Sequence, residues 1–154
     1  MLKNIRYITY SKLEYFKIEN FKYLFSYCVN SSDTTNIKNW NMSNAINLHG
    51  IFSGCEKLSD ISIIKNWNIT KCQYLDYLFN KCKSLSDIHP IKNWSISNVK
   101  DFSYMFQDYA LIKDLKPLEK FDVSKGNDFA IMFADMILLA DLSPLKKWNL
   151  SNGK

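Results

Sequence analysis

Every 27 residues this chain writes itself again. Phenylalanine stands at Phe25, Phe52, Phe79, Phe106 and Phe133, and an aromatic partner at Trp40, Trp67, Trp94, Phe121 and Trp148. Aspartate keeps the same step at Asp33, Asp60, Asp87, Asp114 and Asp141. Three columns in register through five copies, with no insertion, leave little choice of fold. A unit this short cannot bury its own apolar face, so it must stack on its neighbours as a solenoid.

The third copy shows what one turn should look like. Val99, Phe102, Met105, Phe106 and Tyr109 are spaced by threes and fours, which predicts one face of a short helix. Ser97 precedes it as the N-cap, as Ser43, Thr70, Ser124 and Ser151 do in the other copies. Leu85–His89 reads as a short strand with Ile88 inward and His89 outward. Pro90, Pro117 and Pro144 then end the strand and turn the chain. The expected architecture is an α/β solenoid of about five turns, each a short strand plus a short helix, stacked about 4.8 Å apart.

The ends break the pattern. Leu13 stands where tryptophan is due, while Phe21, Leu24 and Phe25 keep the columns of Leu48, Ile51 and Phe52. Residues 1–24 therefore read as a degenerate capping repeat and 25–154 as the solenoid, in a single domain. The closing residues, Lys147 to Lys154, stop where the next helix is due, so the last turn reads as uncapped.

Composition narrows the functional classes. Aromatic content of 15% falls mostly in the repeat columns and so belongs to the core. No uninterrupted apolar run of about 18 residues exists to insert in a membrane, and the opening Met1 to Tyr7 lacks the apolar stretch of a secretory signal. A net charge of +5 permits an anionic partner without demanding one. Nucleic acid is not expected, because 15 acidic residues offset 20 basic ones and the aromatics that would stack on bases are committed to packing.

Cys28, Cys55 and Cys82 form a ladder at the repeat period and read as reduced, buried, small apolar residues, with Met136 taking the same place later. No C-x-x-C pair points to zinc. His49 and His89 occupy different columns, and neither is partnered in sequence with a nucleophile. No phosphate or dinucleotide motif occurs, so neither enzyme activity nor a cofactor is expected.

The aspartate column admits three roles: each carboxylate accepts backbone N–H bonds at its own corner, the row forms an acidic ridge for recognition, or it forms a calcium-binding ladder, which the absence of glycine-rich loops disfavours. A basic column follows five residues on, at Lys38, Lys65, Lys92 and Lys146, interrupted by Glu119. It reads as a solvated edge or as a positive stripe for an anionic partner.

The stretches "LFNKCKSLSDIHPIKNWSISNVKDFSYMF" and "IFSGCEKLSDISIIKNWNITKCQYL" resemble the BspA-like leucine-rich repeats, in the subtype found in bacterial surface lipoproteins. The resemblance covers about residues 21–154, with Tyr109 and Met136 in place of cysteine, Phe121 in place of tryptophan and Ser31 in place of leucine. It implies a right-handed leucine-rich-repeat-like solenoid acting in adhesion or protein–protein interaction, at the cell surface or secreted.

The expected function is thus a non-enzymatic scaffold for a protein partner. Its contact surface is expected at the outward positions Ser62, His89, Lys116 and Ser143, flanked by Asp60, Asp87, Asp114 and Asp141. Those outward positions vary between copies while their inward neighbours do not. The alternative is a structural protein that self-associates through its last turn.

Overall fold

A computed structural model describes residues 18–28, 37–108 and 111–154. Asx turns bend the chain at up to three places in a coil. In the second copy, Asn47 Oδ1 accepts the N–H of His49 at 2.8 Å, Asp60 Oδ1 that of Ser62 at 2.7 Å, and Asn68 Oδ1 that of Thr70 at 3.2 Å. A short polar side chain bonded two residues ahead imitates a backbone turn. Later copies repeat the device at Asp101, Asp87, Asp114, Asp122, Asp128 and Asp141. The aspartate column therefore does accept backbone N–H groups, at 2.7–2.8 Å for Asp60, Asp87, Asp114 and Asp141. Asp33 lies outside the described residues.

Successive coils lie one on another through a backbone ladder. Leu48, Gly50, Phe52 and Gly54 donate their N–H groups to Tyr74, Asp76, Leu78 and Asn80 of the next coil at 2.8–3.2 Å. The amides between them stay home: Ile51 donates to Leu48, Ser53 to Gly50 and Cys55 to Phe52. Every second N–H thus ties two coils, and the others close tight turns within one coil. The same alternation runs from Phe21, which already donates to Asn47, up to Asp108.

Here the structure corrects the expected helix and strand. Among the described residues there is no α-helix, and the only β-pairing is a row of single parallel bridges, Asn20–Asn47–Tyr74–Asp101–Asp128. Two left-handed residues in each coil explain why no helix forms. Gly50 and Gly54 have φ of 57° and 75°, and Tyr77, Lys81, Tyr104, Asp108, Ile131 and Asp135 hold the same two places with φ from 58° to 77°. A left-handed residue at every fourth position unwinds the helix and turns alternate amides along the stack. Consecutive turns still put Leu48, Ile51, Phe52 and Cys55 on the buried side, so their spacing imitates that of a helix.

The expected strand Leu85–His89 is likewise absent. Ile88 has φ −110° and ψ 11°, outside the extended region, and His89–Ile91 is one turn of 3-10 helix. Equivalent turns occupy Ser62–Ile64, Lys116–Leu118 and Ser143–Leu145. The three prolines sit at the first positions of these turns, where a fixed φ and a missing N–H cost nothing. Ile88 is buried and His89 exposed, as expected. Ser43, Thr70, Ser124 and Ser151 are not caps but are themselves capped, each giving its N–H to an Asn or Asp two residues earlier.

Like meets like along the axis. The phenylalanine column stacks Phe25, Phe52, Phe79, Phe106 and Phe133 with neighbouring centroids 5.8 Å apart. Trp67 and Trp94 stack at 6.4 Å. Their indole N–H groups also reach down one coil, Trp67 to the carbonyl of Ile37 at 3.3 Å and Trp94 to that of Ile64 at 3.2 Å. That bond adds a second donor to a carbonyl that already accepts a backbone N–H within its own coil, a role Phe121 cannot fill. Residues 1–17, most of the expected capping repeat, lie outside the described residues.

Candidate functional site

The 3-10 corners form an outward-facing column. Ser62, His89, Lys116 and Ser143 are all exposed at its crest. Their aspartates turn back on their own coils. Ser62 and Ser143 add hydroxyl bonds to Asp60 and Asp141 at 3.1 and 2.9 Å, and the His89 ring meets Asp87 at 2.8 Å. The backbone N–H of His89, with its ring, holds the Asp87 carboxyl below the ordinary carboxylate range. The N–H and hydroxyl of Ser143 do the same for Asp141. In each described copy the carboxylate of this column is thus engaged by the backbone N–H of its own corner.

Two of the expected contact residues come together. His89 and Lys116 line one cleft of about 310 Å³ between the third and fourth coils. Lys92 and Asn93 complete the first wall, and Pro117, Glu119 and Lys120 the second. Ser62 and Ser143 share the column but not this cleft. Sequence reasoning had singled out Lys92 and Glu119 as a column and missed Lys120. The missed signal is the neighbouring column, where Asn39, Asn66 and Asn93 give way to Lys120 and Lys147.

A second polar cluster lies on the left-handed side of the coil. His49 Nδ1 meets Asp76 Oδ2 of the next coil, with side chains only 14% and 11% exposed. The Tyr23 ring stands edge-on to the imidazole at 4.5 Å, Tyr77 lies at 5.4 Å, and His49 Nε2 is buried with no hydrogen-bond partner among the described residues. Burial pushes the Asp76 carboxyl above its ordinary value, Asp101 adds to the rise, and the hydrogen bond from His49 opposes it. Sequence reasoning missed this pair, although both residues occupy one column, Lys22, His49, Asp76, Ser103 and Ala130.

The cysteines are all thiols, with Cys55, Cys72 and Cys82 buried. Cys55 Sγ lies 2.9 Å from the carbonyl oxygen of Phe25 and Cys82 Sγ 3.3 Å from that of Phe52, so these thiols bridge coils as weak donors. Burial pushes Cys72 and Cys82 up to about 12, which keeps them protonated and unreactive. Among the described residues, no three His, Cys, Asp or Glu side chains form a group able to hold a metal ion. None of the helices among them is long and apolar enough to cross a membrane. The last coil exposes Ile137 at 74% and Leu142 at 58%.

A family model described as "Mycoplasma protein of unknown function, DUF285" matches residues 19–136 and again 87–154. Among solved structures, internalin C2 from Listeria monocytogenes is similar at 17% identity over 76% of this chain and 62% of its own, with a TM-score of 0.27. An internalin, inlF, from the same species is similar at 16% identity over 73% and 53%, with a TM-score of 0.24. The chain thus spans less than two thirds of either. No curated protein matches it.

Proposed function

Since the chain belongs to the DUF285 family of Mycoplasma proteins of unknown function, and its repeats resemble the BspA-like type, we propose that it is a non-enzymatic, right-handed scaffold for protein–protein interaction or adhesion, working at the cell surface or after secretion. Residues 1–24 cap the stack in this reading. The contact surface is the 3-10 corner column, Ser62, His89, Lys116 and Ser143 with Asp60, Asp87, Asp114 and Asp141 at its flank. One observation carries it: the outward side chain changes from copy to copy on a corner whose aspartate-to-amide bond stays at 2.7–2.8 Å. A constant frame displaying variable side chains is how repeat proteins build recognition surfaces.

Replacing His89 and Lys116 together by Ala should leave unfolding within about 0.5 kcal/mol of the parent, because both side chains are exposed. It should also abolish retention of the proteins that the parent chain captures from a cell-surface extract. Equal recovery by parent and double variant would remove this surface from consideration.

The apolar side chains exposed on the last coil, Ile137 and Leu142 among them, favour a second reading in which that coil seats another copy of the chain. It predicts a sedimentation coefficient that rises with concentration and stops rising in Ile137→Lys. A monomer at every concentration excludes it.

A further inference from the structure

The cleft between the third and fourth coils differs from the rest of the corner column in its charge. Lys92 rises from one wall, and Lys116 and Lys120 from the other, with Glu119 the only acid in the lining. None of these three lysines forms an ion pair with a described residue; the pairs present are His49–Asp76, Lys83–Glu56 and His89–Asp87. The nearby acids are committed elsewhere: Asp114 accepts the backbone N–H of Lys116 at 2.7 Å, and Asp87 takes both the N–H and the ring of His89. One coil earlier the positions of Lys116 and Lys120 are filled by His89 and Asn93, and two coils earlier by Ser62 and Asn66. Three ammonium groups with no ion-pair partner among the described residues therefore line one place on the stack.

From this geometry we propose that the cleft takes a glutamate- or aspartate-rich segment of a protein partner. The proposal rests on the corner column being the contact surface and names the chemistry that surface recognises. The lining selects for a peptide. A volume of about 310 Å³ holds a few side chains, not a folded polyanion. Pro117 and the His89 ring offer apolar contact to the methylenes of a glutamate. Glu119 can accept the N–H of a peptide backbone, a donor that a phosphate backbone does not offer. The cleft lining contains no phenylalanine, tyrosine or tryptophan on which nucleobases would stack.

The test is a fluorescence-anisotropy titration of the full chain against a labelled hexaglutamate peptide at about 50 mM salt, where exposed charges are least screened. Hexaglutamine is the neutral control. Hexaglutamate should bind at least ten-fold more tightly than hexaglutamine. The Lys92→Gln/Lys120→Gln variant should weaken the acidic peptide roughly ten-fold, and Lys71→Gln/Lys125→Gln, which removes the same charge elsewhere on the coils, should not. Equal weakening by the two variants would mean that net charge alone is sensed, and the proposal falls. It falls equally if a short single-stranded DNA of the same charge binds as well and is lost with the same lysines, since the site would then take any polyanion. If the acidic peptide never binds while His89→Ala/Lys116→Ala still abolishes capture, the scaffold reading stands and only its assigned chemistry is wrong.

Discussion

Replacing Phe79 by Ala is expected to destabilise the chain by about 3–5 kcal/mol, the range for truncating a fully buried aromatic ring. Phe79 is 0% exposed and lies between Phe52 and Phe106, each at 5.8 Å. Neither neighbour can close the gap, because the ladder fixes its own coil: Phe52 donates to Leu78, and Phe106 to Met132. The same change at Phe133 should cost about half as much. That ring is only half-buried, with Phe106 on one side and Trp148 at 6.4 Å. In a stack where each coil touches only its neighbours, a central loss also uncouples the two ends. The urea transition of Phe79→Ala should therefore broaden as well as shift. Equal costs at Phe79 and Phe133, measured by urea unfolding, would mean that the rings do not contribute through their stacking partners.

The parts of this fold visible in the sequence are those that recur along the axis. A period of 27 residues is enough to place Phe52 against Phe79 and Trp67 against Trp94, and both stack as expected. The aspartates could be read as backbone acceptors because short polar side chains before a corner have few other uses. The path of the chain within one coil was not legible. Apolar spacings of three and four mark a helix only when the residues between them are right-handed. Tyr77, Tyr104 and Ile131 are left-handed here, and nothing in a tyrosine or a β-branched residue announces that. Gly50 and Gly54 do carry a signal, but it concerns the coil before. A Cβ on either would meet the ring of Tyr23 or Tyr27 at 2.4 or 2.5 Å, so these glycines let two tyrosines lie across them. At the candidate site, variation along one column exposed His89 and Lys116. Lys120 became relevant only when a neighbouring coil placed it opposite Lys92.

Loss of the His49 ring should be the second most damaging change, and its cost should depend on pH. His49→Ala leaves the Asp76 carboxyl buried without the imidazole that meets its Oδ2, and opens a space under Tyr23. Together these are expected to cost about 2–4 kcal/mol near neutral pH. The sign follows from the direction of the Asp76 shift. Burial raises this carboxyl above its ordinary value of 3.8, so the folded chain holds the proton more tightly than the unfolded one. The stabilising contribution of the protonated form is complete below about pH 4 and is lost as pH rises through the raised value. In the parent, the His49 hydrogen bond opposes that rise. Without it the rise is larger, and so is the stability lost on the way to neutral pH. The cost of His49→Ala should therefore be smaller at pH 4.5 than at pH 7.5, because a carboxyl raised further is the more readily protonated as pH falls. Asp76→Asn keeps an oxygen for the imidazole N–H and has no charge to bury. It should be neutral or stabilising at pH 7.5, and when combined with His49→Ala it should recover much of that variant's loss. Urea unfolding of the two single variants and the double variant at pH 4.5 and 7.5 measures all of this. A cost for His49→Ala that is the same at both pH values, and unrelieved by Asp76→Asn, would reduce the pair to simple packing.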